Sequence, residues 1–304
     1  MTESREQLDR TAATKPIFAV ATHSYFLYTD LETTLICNSG YYTGTCIMHG
    51  SSVLTAKRVD PQSKQSPTLF EHYQGVKCIS RVFSGKIQNI HQIARWGDGN
   101  YICNTLHNEL QWIAFDGEST HSFKVTDEDQ SYLNSVYPTE DAVWITLRHN
   151  DTVTSEIIKL SHGPEYVELD RFRAEHRGIH DLYVESDEIL YYNASNDGKV
   201  VRRVTTNGST YWNELVVGGH PKGMQEHEGY LYVGVSEHAI SRERRFTSDG
   251  KIAVINLADW RLEDMFNLRL DDQTVGSIND IRYVSTGKLT LNEGSIHVID
   301  KSVK

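Results

Sequence analysis

Cysteine is scarce in this chain, and what there is makes no metal or disulfide pattern. The four residues, Cys37, Cys46, Cys78 and Cys103, fall in the first third at spacings of nine, 32 and 25. No CxxC pair occurs, and each sits in or beside an apolar run, where cysteine reads as a small buried hydrophobe with a free thiol. No apolar stretch approaches the ~18 residues that a membrane span needs. Met1 to Pro16 carries Glu3, Arg5, Glu6, Asp9, Arg10 and Lys15 rather than a basic start and an apolar run. A secretory leader is therefore not expected, and a cytoplasmic protein is. Residues 1–15 read as a mobile tail, and 16–304 as one domain. Basic residues are outnumbered, 30 against 41 acidic, giving a formal charge of −11. With no basic stripe, nucleic acid is excluded as an expected partner.

Several catalytic signatures are absent too. No GxSxG elbow occurs, so Ser-His-Asp chemistry has no support. Gly97-Asp98-Gly99 lacks the strand-to-helix setting of a nucleotide loop. Helical periodicity is weak throughout. Apolar runs are short, rich in Val, Ile, Tyr and Trp, and bounded by Gly, Asn, Asp or Ser, the pattern of many short strands.

What is present is a repeat. Five phrases set a polar residue among apolar ones: Ile90-His91-Gln92-Ile93, Leu133-Asn134-Ser135-Val136, Ile179-His180-Asp181-Leu182, Gly219-His220-Pro221-Lys222-Gly223-Met224 and Ile278-Asn279-Asp280-Ile281. Their anchors are 43, 46, 40 and 59 residues apart. A degenerate period in the forties predicts an all-β propeller in which each repeat forms a four-stranded blade. The clearest blade follows His91: strands Ile90 to Arg95, Tyr101 to Asn104, Leu110 to Phe115 and His121 to Val125, joined by Gly97-Asp98-Gly99-Asn100 and Asp116-Gly117 turns. The His180 blade repeats that order. A further blade within Ile17 to Val82, anchored at His23, brings the count to six. The 68-residue interval from His23 to His91 leaves five or seven open. The last repeat lacks an outer strand after Ser295 to Ile299, and an N-terminal strand near Ile17 to Ala21 is expected to close it.

The phrase at His91 with Tyr101-Ile102-Cys103-Asn104-Thr105-Leu106-His107-Asn108-Glu109-Leu110 resembles repeats of the NHL, streptogramin-lyase and gluconolactonase-like propeller superfamily. That resemblance implies metal-dependent lactonases, esterases and lyases, alongside non-catalytic interaction modules. Gluconolactonase-like members hold a divalent ion in the channel mainly through Glu and Asn. Only Asn134 and Asn279 match that anchor type here, and His91, His180 and His220 depart from it.

Equivalent inner-strand starts converge on one end of the channel. Three neutral imidazoles there could bind one divalent transition metal (Fe, Mn, Zn or Ni), which nitrogen ligands favour over Ca or Mg. Each histidine could equally plug the channel by bonding neighbouring backbone. His23, His107 and His149 are further residues that could reach the same mouth. Asp181 and Asp280 follow their anchors directly and, by strand alternation, should face away, either supporting the anchor side chains from behind or, as favoured, bonding between blades rather than acting as ligands. The largest insertion, Ser236 to Gly250, should overhang the binding face. Glu237 or His238 on it could act as general base, or stand exposed. Arg148, Lys222, Arg242, Arg244 and Arg245, with Asn134 and Asn279, are candidates for binding an anionic substrate, although the arginines also fit a solvated loop. The expectation is a metal-dependent lyase or hydrolase for a small polar metabolite, or else a propeller that binds a ligand without chemistry.

Overall fold

The structure, a computed structural model, describes residues 15–117, 120–127, 131–149, 152–238, 241–270, 273–287 and 289; the side chains of Arg242 and Arg269 are not described. Six antiparallel sheets form a ring, as expected of a six-bladed propeller. From the channel outward, blade 1 comprises Tyr41–Ile47, Val53–Arg58, Pro67–Gln74 and Lys77–Gln88. Blade 2 comprises Ile93–Trp96, Gly99–Asn104, Glu109–Ala114 and Thr120–Lys124. Blade 3 has Leu133–Pro138, Val143–Leu147, Glu156–Leu160 and Glu168–Arg173, and blade 4 has Ile179–Val184, Ile189–Ala194, Lys199–Thr206 and Ser209–Val216. Blade 5 has His220–His227, Tyr230–Ser236, Gly250–Asn256 and Arg261–Leu270, with a short fifth strand at Gln273–Thr274. Blade 6 joins the two ends of the chain. Ile278–Gly287 is its inner strand, and Lys15–Thr22, Tyr25–Thr29 and Thr34–Ser39 follow outward.

The closure differs in detail from the expectation. The N-terminal segment contributes three strands rather than one, and Lys15–Thr22 pairs directly with the inner strand rather than lying outermost. The span Ile17 to Val82 is consequently divided between blades 6 and 1, and His23 lies in a turn rather than at the start of an inner strand. The strand expected at Ser295 to Ile299 lies outside the described residues.

Alternation supplies the core. In blade 3, Val143 and Ile145 pack with Tyr101, Cys103 and Leu110 of blade 2, whereas Trp144 and Ile157 pack with Ile179, Leu182 and Tyr192 of blade 4. The inner and middle strands thus bury both faces, one against each neighbouring blade, whereas outermost strands such as Lys77–Gln88, Glu168–Arg173 and Ser209–Val216 are largely exposed. Equivalent seams join the other blades around the ring. Cys46 and Cys103 are buried and Cys37 and Cys78 half-buried, all four as free thiols.

Candidate functional site at the channel mouth

Five of the six inner strands share one irregularity, and in blade 2 the strand begins at Ile93, just after His91. Pairing slips between Tyr42 and Gly44, Leu133 and Ser135, His180 and Leu182, Pro221 and Met224, and Ile278 and Asp280. A bulge re-aims the side chain beside it. The result is a ring of one residue per blade: Thr43, His91, Asn134, His180, Lys222 and Asn279 line a single cavity of about 50 Å³ at the centre. Above it, sharing Tyr41, His91, Asn134, Arg148 and Arg245, opens a mouth of about 360 Å³. Arg58, Lys64, Asn89, Tyr132 and His149 complete that mouth.

Directly below the ring lies a belt of inter-blade bonds. Gln92 donates through Nε2 to Asp181 Oδ1 at 2.9 Å, and its Oε1 accepts from the Val136 amide at 2.7 Å. Asp181 Oδ2 accepts from Gly223 N at 2.7 Å. Asp280 accepts from the amide and hydroxyl of Thr45 and pairs with Arg282 at 3.0 Å. Both aspartates bridge blades as expected, but Asp181 does not face away from the ring: it also lines the central cavity beside His180 and Lys222. Burial raises both carboxyls above their ordinary range, Asp280 to about 7.

Two histidines have fixed tautomers. His180 Nδ1 lies 3.1 Å from the Gly178 carbonyl and 2.8 Å from Ser195 Oγ, while that hydroxyl donates to the Pro221 carbonyl of the next blade at 2.5 Å. His91 repeats the arrangement with the Asn89 carbonyl at 3.2 Å and Thr105 Oγ1 at 2.9 Å, and Thr105 donates to the Leu133 carbonyl at 2.5 Å. A carbonyl accepts only, and each hydroxyl proton is already committed to another carbonyl. Both Nδ1 atoms must therefore carry the proton, leaving Nε2 a lone pair on the cavity side. His180 Nε2 is buried without a hydrogen-bond partner among the described residues, as is Asn134 Nδ2.

Charge around these imidazoles is positive. Burial, then Lys222 and nearby arginines, holds His91 and His180 well below the usual histidine range. Burial also depresses Lys222, with Arg245 and Arg148 adding to the effect and Asp181 opposing it. Arg58 is buried, bonds Asn89 Oδ1 and stacks on the Tyr41 ring at 4.6 Å. Arg245 arrives on a short helix, Arg242–Phe246, within the enlarged loop, so that loop does fold over the mouth. Phe246 wedges it there against His23 and Tyr41.

The other expected residues fall elsewhere. His220 is not the ring residue of blade 5. Lys222 is, because Pro221 occupies the apolar slot that isoleucine or leucine fills in the other phrases. His220 stands two residues higher, its ring 5.6 Å from those of His180 and His238. Glu237 and His238 are exposed and line neither cavity, because the chain leaves the channel wall where the strand ends at Ser236. His107 and Arg244 are exposed as well, and His23 packs under Phe246 with Nδ1 on the Ser277 carbonyl. The Arg242 side chain lies outside the described residues. Asn279 spends its amide on the Tyr42 carbonyl at 2.6 Å.

These positions do not fit the expected metal centre. Among the described residues no three His, Cys, Asp or Glu side chains lie close enough to share an ion. The would-be third ligand is replaced by a lysine, and three guanidinium groups face the same space. Such a field opposes a divalent cation and suits an anion. Thr43 and Arg58 were not anticipated. Thr43 stands 48 residues before His91, within the period, but is neither His nor Asn. Arg58 and Arg148 follow their ring residues by 15 and 14, the offset at which Thr105 and Ser195 also occur.

No protein-family model matches the chain, and no curated protein matches it at a significant level. Solved structures do. A periplasmic gluconolactonase of Pseudomonas aeruginosa is 9% identical over 90% of this chain and 99% of its own, with a TM-score of 0.57. A luciferin-regenerating enzyme is 16% identical over 92% and 91%, also at 0.57. A chain from a nidogen/laminin complex is 10% identical over 90% and 98%, at 0.64. At these identities the likeness is one of fold, which meets the expected resemblance to gluconolactonase-like propellers in architecture and leaves activity to the site.

Proposed function

We propose that this propeller is an enzyme, a lyase or hydrolase, that holds a small anionic metabolite in its mouth and moves a proton on it through His91 and His180. One observation carries the reading. Two imidazoles with locked tautomers turn their basic nitrogens into a cavity bordered by Arg58, Arg148 and Arg245. The guanidinium groups would take a carboxylate or phosphate in charge-assisted bonds, with the Asn134 amide as a further donor. The net charge of −11 gives no long-range attraction, so affinity has to come from these local groups.

The electrostatics favour coupling of binding to basicity. In the free protein burial, and after it the neighbouring cations, keep both imidazoles neutral and weakly basic. A bound anion offsets those charges and raises the imidazole pKa toward the range of a useful general base. The base would then take a proton from a carbon next to the substrate's anionic or carbonyl group, or from an attacking water. The same cations would stabilise the negative charge that develops.

Deuterium incorporation tests this. A panel of small carboxylates and phosphates is incubated with the protein in D2O and followed by proton NMR. Loss of a C–H signal or turnover of one compound, abolished in His91→Gln/His180→Gln while calorimetric binding persists, is expected. Binding without exchange or conversion of any compound would make this a ligand-binding propeller and end the enzymatic reading.

A further inference from the structure

The ring residue of blade 5 carries more than charge. We infer that Lys222 is a nucleophile that forms an imine with a carbonyl compound bearing a carboxylate or phosphate, such as a 2-oxo acid. The inference rests on the anion-binding reading above and names the substrate class for it.

Four observations lead there. Lys222 sits on the bulge that aims it into the cavity, with its backbone held by the blade 5 pairing on either side. Its ammonium has no hydrogen-bond acceptor among the described residues, and the carboxylate that shares its cavity, Asp181, already accepts from Gln92 and Gly223. Arg245, Arg148 and Arg58 are near enough to act on its charge. A desolvated lysine among other cations is the setting in which the free amine becomes available; burial and these neighbours lower its pKa well below the ordinary lysine value. Lastly, the two Nε2 lone pairs of His91 and His180 open on the same small cavity. If Lys222 served only to attract an anion, those flanking cations would make it the least favourable place for one more charge.

The step balances without any co-reactant. The Lys222 nitrogen attacks the carbonyl carbon, and a C–N bond forms as the C=O π bond opens to a carbinolamine. The oxygen leaves as water, taking both amine protons, and an imine remains. Uptake of one proton gives the iminium, beside the Asp181 carboxyl. The substrate's anionic group lies against Arg58, Arg148 and Arg245. An iminium withdraws electrons from the adjacent C–H, which is the proton that His91 or His180 would remove.

Reductive trapping tests the inference. The protein is treated with pyridoxal 5′-phosphate, and separately with glyoxylate, plus cyanoborohydride at pH 6.5 in an amine-free buffer. At that pH exposed lysines, with pKa about 10.4, are almost wholly protonated. Intact-mass and peptide mapping should find one adduct per chain, on Lys222, suppressed at least tenfold by excess inorganic phosphate and missing from Lys222→Arg. Labelling spread over exposed lysines such as Lys77 and Lys86, with Lys222 unmodified, would overturn it. Phosphate binding followed by thermal shift separates the two readings. If phosphate binds and Lys222 is unlabelled, the imine falls and the anion site stands; if neither occurs, both fall.

Discussion

Replacing Thr105 with valine removes one hydroxyl and almost no volume, and that hydroxyl links two blades to a proposed catalytic base. Thr105 is 1% exposed. Its Oγ1 donates to the Leu133 carbonyl at 2.5 Å and accepts from His91 Nδ1 at 2.9 Å. After Thr105→Val the Leu133 oxygen loses that donor in a buried site, and His91 keeps only the longer contact to the Asn89 carbonyl at 3.2 Å. Losing a buried hydrogen bond of this kind costs about 1–3 kcal/mol. The assay is urea unfolding followed by tryptophan fluorescence, together with nitrogen-15 NMR of the imidazoles. The expected result is a loss of about 2 kcal/mol and a His91 ring no longer confined to the Nδ1–H tautomer. Ser195→Ala should do the same to His180, and the two effects should add because the sites lie in different blades. A variant within about 0.5 kcal/mol of the parent, with an unchanged His91 spectrum, would refute the argument that these hydroxyls fix the bases.

Gly223 has φ +74°, and a Cβ there would meet Ile281 N at 2.8 Å, so Gly223→Ala should cost about 2–4 kcal/mol in the same urea assay, whereas a neutral effect would contradict the tight approach of blades 5 and 6. Burial depresses His23, His91, His180 and His220, so the unfolded chain takes up protons below about pH 6.5 that the folded chain refuses, and stability is lost as pH falls. Asp280 opposes this by holding a proton in the folded state from about pH 7 downward, and Asp181, also raised by burial, acts in the same direction, but four imidazoles outweigh two carboxyls. Unfolding midpoints between pH 7.5 and 5 should therefore decline by on the order of 1–3 kcal/mol per pH unit below pH 6, and a flat or rising series would contradict it. Glu71, buried beneath Tyr42, Tyr73 and Arg81 and bonded also to Asn38 of blade 6, should cost about 2 kcal/mol as Glu71→Gln, read by the same unfolding assay, since an amide cannot accept from all four donors.

Much of the architecture was legible because turn chemistry and strand pattern agreed. In blade 2 the hairpin glycines and the alternation from Tyr101 to Asn104 place each strand to within about three residues of its observed limits. What sequence order hides is where a ring is cut. Nothing local distinguishes Lys15–Thr22 as a second strand from an outer one, because its partner lies some 260 residues away. The site was half legible for a similar reason. His91, Asn134, His180 and Asn279 stand in a repeated phrase, whereas in blade 5 Pro221 and Gly223 shift the ring position from His220 to Lys222. Reading the phrase by its apolar residues rather than its histidines would have found both Lys222 and Thr43. Arg58 and Arg148 would have followed from the 14- and 15-residue offset that also marks Thr105 and Ser195.

The central claim is that the mouth is an anion site, and selenate reports it directly. Crystals soaked in selenate and measured at the selenium edge should show one strong anomalous peak over the ring, within hydrogen-bond distance of the Arg148 and Arg245 guanidinium groups. That peak should be gone in Arg148→Gln/Arg245→Gln crystals. An empty mouth, with selenate only at exposed lysines, would contradict the account; so would a soaked divalent metal bound there between His91 and His180.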